Sequence, residues 1–185
     1  MKRRHLPIVL FVLVVLVAPF FLSDFRIALS NYIGLYALVA LGLVLLTGIG
    51  GLTSFGQAAF VGLGAYVTAY LSTVHGVSPW INLLVGLGLT LLLAYVIGFV
   101  TLRMSGHFLP LATIAWGISL YFLFGNLEFL GGHTGISGIP SISLFGLELK
   151  SSRSFYYLIW VVVLLAILAL RNLLDSRQGR AIRAL

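Results

Sequence analysis

The segment Gly50-Gly-Leu-Thr-Ser-Phe-Gly-Gln-Ala-Ala-Phe-Val-Gly-Leu-Gly-Ala-Tyr66 places a glycine- and hydroxyl-rich turn between two long apolar runs. In a bilayer, backbone that leaves a helix must be buried in protein or line a wet cavity, because an unpaired amide facing lipid is costly. Glycines at membrane depth are typical of a broken helix, and broken helices commonly accompany a substrate path. The segment therefore predicts a glycine-broken helix region beside a transport pathway.

The composition of the whole chain agrees with a membrane setting. The chain is 61% hydrophobic and 8% charged, whereas a soluble domain carries about 25% charged residues. A separate globular enzyme domain of about 100 residues does not fit into a 185-residue chain that contains no soluble-looking block. We therefore predict an all-α, polytopic transmembrane helical bundle that forms a single domain over residues 1–185.

Apolar runs of the length that crosses a bilayer define about six spans. The first run follows three basic residues, as in a secretory signal peptide, but no small-residue cleavage site follows it, so we expect it to be retained. The predicted spans are Leu6–Leu22, Ile27–Thr47, Gln57–Val74, Trp80–Leu102, Phe108–Gly125 and Phe155–Leu170.

The basic residues predict the orientation of these spans, because cytoplasmic loops carry an excess of Lys and Arg. If the amino terminus is cytoplasmic, that side receives eight basic residues and the other side three, which together are the 11 in the chain. The eight are Lys2, Arg3, Arg4, Arg103, Arg171, Arg177, Arg180 and Arg183, and the three are Arg26, Lys150 and Arg153. Both ends of the chain are therefore predicted to be cytoplasmic. The same placement at the ends of apolar runs argues against a nucleic-acid-binding surface, despite the net charge of +7.

The third span carries small residues on one helical face. Ala58, Gly62, Ala65 and Ala69 follow each other at spacings of four, three and four, so a neighbouring helix can approach closely. Two interpretations stay open: a tight interhelical contact with no substrate nearby, or one wall of a pathway.

The sequence contains no complete active-site motif of an enzyme. Gly135-Ile-Ser-Gly138 matches the short serine motif of intramembrane rhomboid proteases, but such a serine needs a histidine on a later span, and none follows His133. There is no zinc-binding histidine pair and no phosphate-binding loop for ATP. We therefore expect no catalytic residue, metal or cofactor in this chain. Because no span holds a charged residue in its middle, ATP hydrolysis on a separate subunit is favoured over proton coupling.

Four blocks of sequence resemble the inner-membrane permeases of branched-chain amino acid ABC importers, of the LivM type. They are Gly51–Tyr66, Arg103–Gly117, Gly125–Pro140 and Ser176–Arg183, in the family's order. The resemblance implies a complex with a second, LivH-like permease subunit, two ATP-binding subunits and a periplasmic amino-acid-binding protein in the bacterial inner membrane. It also implies that Gly179, Arg180 and Arg183 begin a cytoplasmic loop that docks on the ATPase. Family members continue beyond this loop, so we expect residues 1–185 to be the amino-terminal part of a permease domain.

The resemblance leaves the carried solute open, because related permeases carry urea, short amides or other amino acids on the same scaffold. Candidate pathway residues are the polar and flexible positions of the glycine-rich turn and two hydroxyls of the fifth span. They are Ser54, Phe55, Gly56, Gln57, Thr113 and Ser119. Ordinary packing between spans is the alternative role for each of them.

Overall fold

The computed structural model describes residues 6–101, 108–144 and 147–182, which are almost entirely helical. The helices are α1 (Leu6–Phe21), α2 (Asp24–Leu43), α3 (Gln57–Val74), α4 (Pro79–Thr101), α5 (Phe108–Asn126), α6 (Ser152–Asp175) and α7 (Arg177–Ile182). A π-helix, Val44–Ile49, extends α2, and two short 3₁₀ turns, Glu128–Leu130 and Gly132–Thr134, follow α5. Two paired strands of two residues each, β1 (Ser143–Leu144) and β2 (Leu147–Glu148), precede α6.

Four of these helices are long and apolar enough to cross a membrane: α2 with its π-helical extension, α4, α5 and α6. The prediction of a multi-pass helical membrane protein is therefore confirmed. Apolar α1 is shorter, and α3, with 18 residues, is not among the four. The count of six spans and the orientation stay predictions, and the predicted end of the fourth span at Leu102 lies outside the described residues.

The chain divides into two compact units, which are described separately. The first unit contains α1, α2, α6 and α7, and the second runs from Leu46 to Ser143 and contains α3, α4 and α5. The prediction of one domain over residues 1–185 is neither confirmed nor contradicted by this division.

In the first unit, α2 and α6 run in the same direction and approach closely. The Asn31 amide donates to the carbonyl of Ser152 at 3.1 Å, and one turn later Gly34 meets Ile159. A Cβ atom at Gly34 would lie 2.5 Å from Ile159 Cγ2, so any larger residue there would require the Ile159 side chain to move.

A proline inside α1 explains how α1 is attached to α6. Pro19 is fully buried and has no backbone N–H, so the carbonyl of Val15, four residues earlier, lacks its helical donor. The hydroxyl of Tyr156 on α6, itself only 3% exposed, donates to that carbonyl at 3.1 Å. The next hydroxyl, of Tyr157, donates to the carbonyl of Leu16 at 3.3 Å. A buried acceptor that the proline leaves open thus receives a side-chain donor from another helix.

In the second unit, α3 and α4 form an antiparallel hairpin. Near its turn, the fully buried amide of Asn82 donates to the hydroxyl of Ser72 at 2.8 Å and to the carbonyl of Val77 at 3.1 Å. Further along, buried Gly86 of α4 faces Gly64 of α3, with space for a Cβ 4.0 Å from its carbonyl oxygen. The sequence interpretation did not identify this close approach, because it considered only the opposite face of α3.

The remaining helix of this unit, α5, runs parallel to α3. Gly56 lies beside Thr113, and Gly62, one and a half turns later, lies beside Phe124. The buried core joins Ala59 of α3, Ile97 of α4 and the α5 residues Leu120 and Phe124. The two helices therefore enclose a space next to the glycine-rich turn between the π-helix and α3.

Candidate functional site

The glycine-rich turn forms a non-helical strap, defined here as residues 52–56, between the π-helix and α3. Its residues alternate in exposure: Thr53 and Phe55 are exposed, whereas Leu52, Ser54 and Gly56 face a cavity. Backbone outside any helix lies at this place in the chain, and the glycine-broken helix stays a prediction. The depth of this backbone in a membrane stays a prediction as well.

Hydrogen bonds fix both ends of the strap. At the first end, the amide of Leu52 donates to the carbonyl of Leu46, and the hydroxyl of Thr47 donates to the carbonyl of Leu52, both at 3.1 Å. At the second end, the amide of Phe55 donates to the hydroxyl oxygen of Thr113 on α5 at 3.1 Å. The strap is thus tied to the π-helix on one side and to α5 on the other.

The cavity under the strap has a volume of about 270 Å³. It lies within the second unit, between α3, α4 and α5. Its walls are formed by Leu46, Leu52, Ser54, Gly56, Ala59, Phe60, Ala94, Ile97, Gly98, Thr101, Leu109, Thr113 and Trp116. No charged side chain is among these thirteen lining residues, and most of them are aliphatic, aromatic or glycine.

The hydroxyl groups in the cavity wall are largely committed to the protein. Thr101 donates to the carbonyl of Ile97 at 2.7 Å, and Thr113 donates to the carbonyl of Pro110 at 2.9 Å. The hydroxyl oxygen of Ser54 accepts from the amide of Gly56 at 3.4 Å. Because both threonine hydrogens are used, the surface that the cavity offers to a bound molecule is mainly apolar.

A second cavity of about 220 Å³ is also lined by α3 and α5 and includes Ala58 and Gly62 of the small-residue face of α3. It is lined by Ala58, Ala59, Gly62, Tyr66, Gly117, Tyr121, Phe124, Gly125, Gly132 and His133. The imidazole of His133 covers α5 at Gly125, where a Cβ atom would lie 3.0 Å from the ring.

The structure brings three of the six predicted pathway residues together. Ser54, Gly56 and Thr113 line the cavity under the strap, although Thr113 lies 59 positions after Ser54 in the chain. Phe55 and Gln57 are their neighbours in sequence but do not line it, and Ser119 is exposed elsewhere on α5. The cavity therefore contains half of the predicted set.

The predicted packing residues of α3 do not share one environment. Ala69 is buried, and Gly62 is half-buried beside Phe124, with a Cβ position 3.2 Å from the ring. Ala58 and Ala65 are exposed in this chain. Gly62 therefore lies against α5 through the ring of Phe124.

The predicted docking residues lie at the turn from α6 to α7, apart from Arg183, which is outside the described residues. Gly179 is buried, and a Cβ atom there would meet the backbone of Leu173 and Leu174, so this glycine serves the sharp turn rather than an open surface. The exposed guanidinium of Arg180 donates to the carbonyl of Asp175 at 3.0 Å, at the end of α6.

Sequence reasoning missed the α4 part of the cavity wall, which is formed by Ala94, Ile97, Gly98 and Thr101. These residues stand in a continuous apolar run without a distinguishing motif, and only the glycine and threonine at spacing three suggest a special face. Within residues 6–101, 108–144 and 147–182, no three His, Asp or Glu side chains converge on a position that could hold a metal ion.

Comparison with known proteins identifies the class to which this helical, cavity-bearing chain belongs. The family described as "branched-chain amino acid transport system / permease component" matches residues 25–185, so the chain belongs to that family. The high-affinity branched-chain amino acid transport system permease protein LivM of Salmonella typhimurium is 33% identical over 94% of this chain. The protein of the same name from Escherichia coli is 31% identical over 90% of it.

The matched region covers only part of those relatives, 47% of the Salmonella protein and 45% of the Escherichia protein. The chain therefore spans about half the length of the curated relatives it matches. No solved structure matches the chain at a significant level.

Proposed function

We propose that this chain is part of the membrane-spanning permease subunit of an ABC importer for branched-chain amino acids. The observation that carries the proposal is the apolar cavity under the strap, in a chain that belongs to a permease family. Two relatives carry branched-chain amino acid transport in their names, which supports the same substrate class here.

The size and lining of the cavity favour an aliphatic substrate over the alternatives. A volume of about 270 Å³ equals the share of roughly nine water molecules in the liquid, which admits a molecule of the size of a small amino acid. The mostly aliphatic and aromatic wall of the cavity suits the aliphatic side chain of such an amino acid, an apolar part that urea lacks.

The directions of the helices support a six-span topology in which α1 and α3 also cross the bilayer. In the first unit α2 and α6 are parallel, and in the second unit α3 and α5 are parallel with α4 antiparallel between them in sequence. Helices that cross in turn produce this alternation. The 18 residues of α3 extend over about 27 Å, close to the thickness of the hydrocarbon core. With the basic-residue bias, we propose that both ends of the chain lie in the cytoplasm.

The energy for transport then comes from outside this chain. We propose two ATP-binding subunits below the membrane, a second, LivH-like permease beside it, and a periplasmic amino-acid-binding protein above it, in a bacterial inner membrane. The turn between α6 and α7 would meet an ATPase through exposed arginines such as Arg180, with Arg183 and Gly179 as its neighbours in sequence.

The proposal is tested by filling the cavity in the complete permease. Ala94 of α4 lines the cavity, and replacing it with leucine places three further carbon atoms in it. We expect Ala94→Leu to lower uptake of radiolabelled leucine and isoleucine about tenfold, because overpacking typically costs about 1 to 3 kcal/mol. The matched control is Ala115→Leu on α5, which adds the same atoms at an exposed position outside the cavity.

Uptake is measured in cells whose own branched-chain amino acid permease has been deleted, with membrane levels of each variant checked by immunoblot. Equal uptake by both variants would show that the cavity is not on the substrate path. Uptake of urea instead of leucine by the unaltered protein would favour the alternative substrate class.

A further inference from the structure

We propose that Thr113 is a positioning residue that holds the strap in place as a wall of the substrate cavity. Its hydroxyl accepts from the strap and donates to its own helix, so one side chain joins two segments 58 positions apart in the chain. The inference rests on the proposed function, because it assigns the cavity under the strap to the substrate.

The geometry of Thr113 suits this role. Its hydroxyl hydrogen is directed to the carbonyl of Pro110 at 2.9 Å, which orients the oxygen and leaves its lone pairs available as acceptor. One lone pair receives the backbone N–H of Phe55 at 3.1 Å. Because Phe55 lies in non-helical backbone, its N–H has no helical carbonyl to reach, and Thr113 supplies the acceptor that the amide requires.

The strap lies very close to α5 at this point. A Cβ atom at Gly56 would be 3.3 Å from the carbonyl oxygen of Thr113 and 3.6 Å from its Cβ. Because Gly56 has no Cβ, the strap packs directly against α5, and the hydrogen bond to the Thr113 hydroxyl then holds it there. Small size at Gly56 and hydrogen bonding at Thr113 act together on the same contact.

The consequence concerns the shape of the cavity. Ser54 and Gly56, one residue on either side of the bonded Phe55 amide, both line it. The strap's other attachment is at Leu52, toward the π-helix. Release of Phe55 therefore frees the part of the strap that carries Ser54, and the cavity loses a defined wall on that side.

Thr101 provides a matched comparison. It also lines the cavity, and its hydroxyl also donates to a carbonyl of its own helix, that of Ile97. Thr101 is not bonded to the strap. Replacement of either threonine by valine removes one hydroxyl from the cavity wall with little change in shape, but only Thr113→Val removes the acceptor of the Phe55 amide.

The chain contains no cysteine, so a single Ser54→Cys substitution reports on the strap without background from this chain. In membranes that contain the complete permease, we expect a small thiol reagent to label that cysteine about five times faster when Thr113→Val is present. Losing one ordinary hydrogen bond changes an opening equilibrium by about this factor. Thr101→Val and Thr113→Ser should leave the labelling rate unchanged. In chains that keep Ser54, Thr113→Val should raise the KM for leucine uptake by a similar factor with little change in maximal rate, and Thr113→Ser should restore it.

If Thr113→Val fails to reach the membrane, the smaller Thr113→Ala carries the same expectation. Unchanged labelling of Ser54→Cys in both removal variants, or the same increase in Thr101→Val, would overturn the proposal. The labelling needs no substrate, so it gives its answer even if leucine is not transported. Faster labelling without any leucine uptake would keep the positioning role of Thr113 and reject the proposed substrate.

Discussion

At the scale of single residues, side chains form hydrogen bonds with backbone groups that have no helical partner. Pro19 removes the helical donor of the Val15 carbonyl, and Tyr156 supplies another one from α6. The Phe55 amide, outside any helix, finds its acceptor in Thr113. In a bilayer such pairs are important because water is not available to replace either partner.

The Tyr156 contact leads to a prediction about stability. Tyr156→Phe keeps the ring in its buried position but leaves the Val15 carbonyl without a donor, so we expect the free energy of unfolding to fall by about 1 to 3 kcal/mol. The measurement is thermal unfolding of the purified protein in detergent, followed by circular dichroism.

Tyr157→Phe is the matched control. The carbonyl of Leu16, to which Tyr157 donates, still has the amide of Phe20 four residues later within the same helix, so its loss should matter less. Equal destabilisation by Tyr156→Phe and Tyr157→Phe would mean that the hydrogen bond from Tyr156 does not replace the helical donor that Pro19 removes.

At the scale of helices, glycines mark the positions where neighbouring backbones approach. Gly34 admits Ile159 between α2 and α6, Gly86 faces Gly64 between α3 and α4, and Gly62 receives the ring of Phe124 between α3 and α5. Small residues serve this purpose in membranes because lipid provides no hydrophobic force to bring helices together, so close van der Waals packing has to do so.

Gly62 and Gly64 allow this interpretation to be tested on one helix. A Cβ at Gly62 would lie 3.2 Å from Phe124, whereas a Cβ at Gly64 meets nothing within 4 Å. Gly62→Leu should therefore overpack the contact with α5 and cost about 1 to 3 kcal/mol. Yield and melting temperature of the purified protein should fall for Gly62→Leu and stay near the original values for Gly64→Leu. A stable Gly62→Leu protein would show that α5 does not pack there.

At the scale of the whole molecule, the prediction is the topology. Eight of the 11 basic residues fall on one side if both ends are cytoplasmic. Reporter fusions after Arg103 and Arg183 should therefore behave as cytoplasmic, and a fusion after Ser141 as periplasmic. Fusions in the complete permease, read with a phosphatase that is active only outside the cytoplasm, measure this directly. Phosphatase activity at Arg103 would contradict the predicted count and orientation of the spans.

The sequence by itself determined the class of the protein and the extent of most helices. Runs of apolar residues identify helices because only segments that satisfy their own backbone can cross hydrocarbon, and the predicted span Gln57–Val74 coincides with α3. The predicted span Phe155–Leu170 lies inside the longer α6, Ser152–Asp175. Apolarity marks the part of a helix suited to lipid, whereas the helix itself continues into polar flanks such as Arg153 and Asp175.

Only the tertiary structure decided which residues share the cavity. Ser54 and Thr113 were both identified from sequence, but their contact depends on α5 running parallel to α3, and Ser119, later on α5, lies outside the cavity. Ala94 was not identified at all, because nothing in a uniform apolar run separates a residue that faces a cavity from one that faces lipid. Both environments accept the same side chains, so the distinction arises only when helices pack against one another.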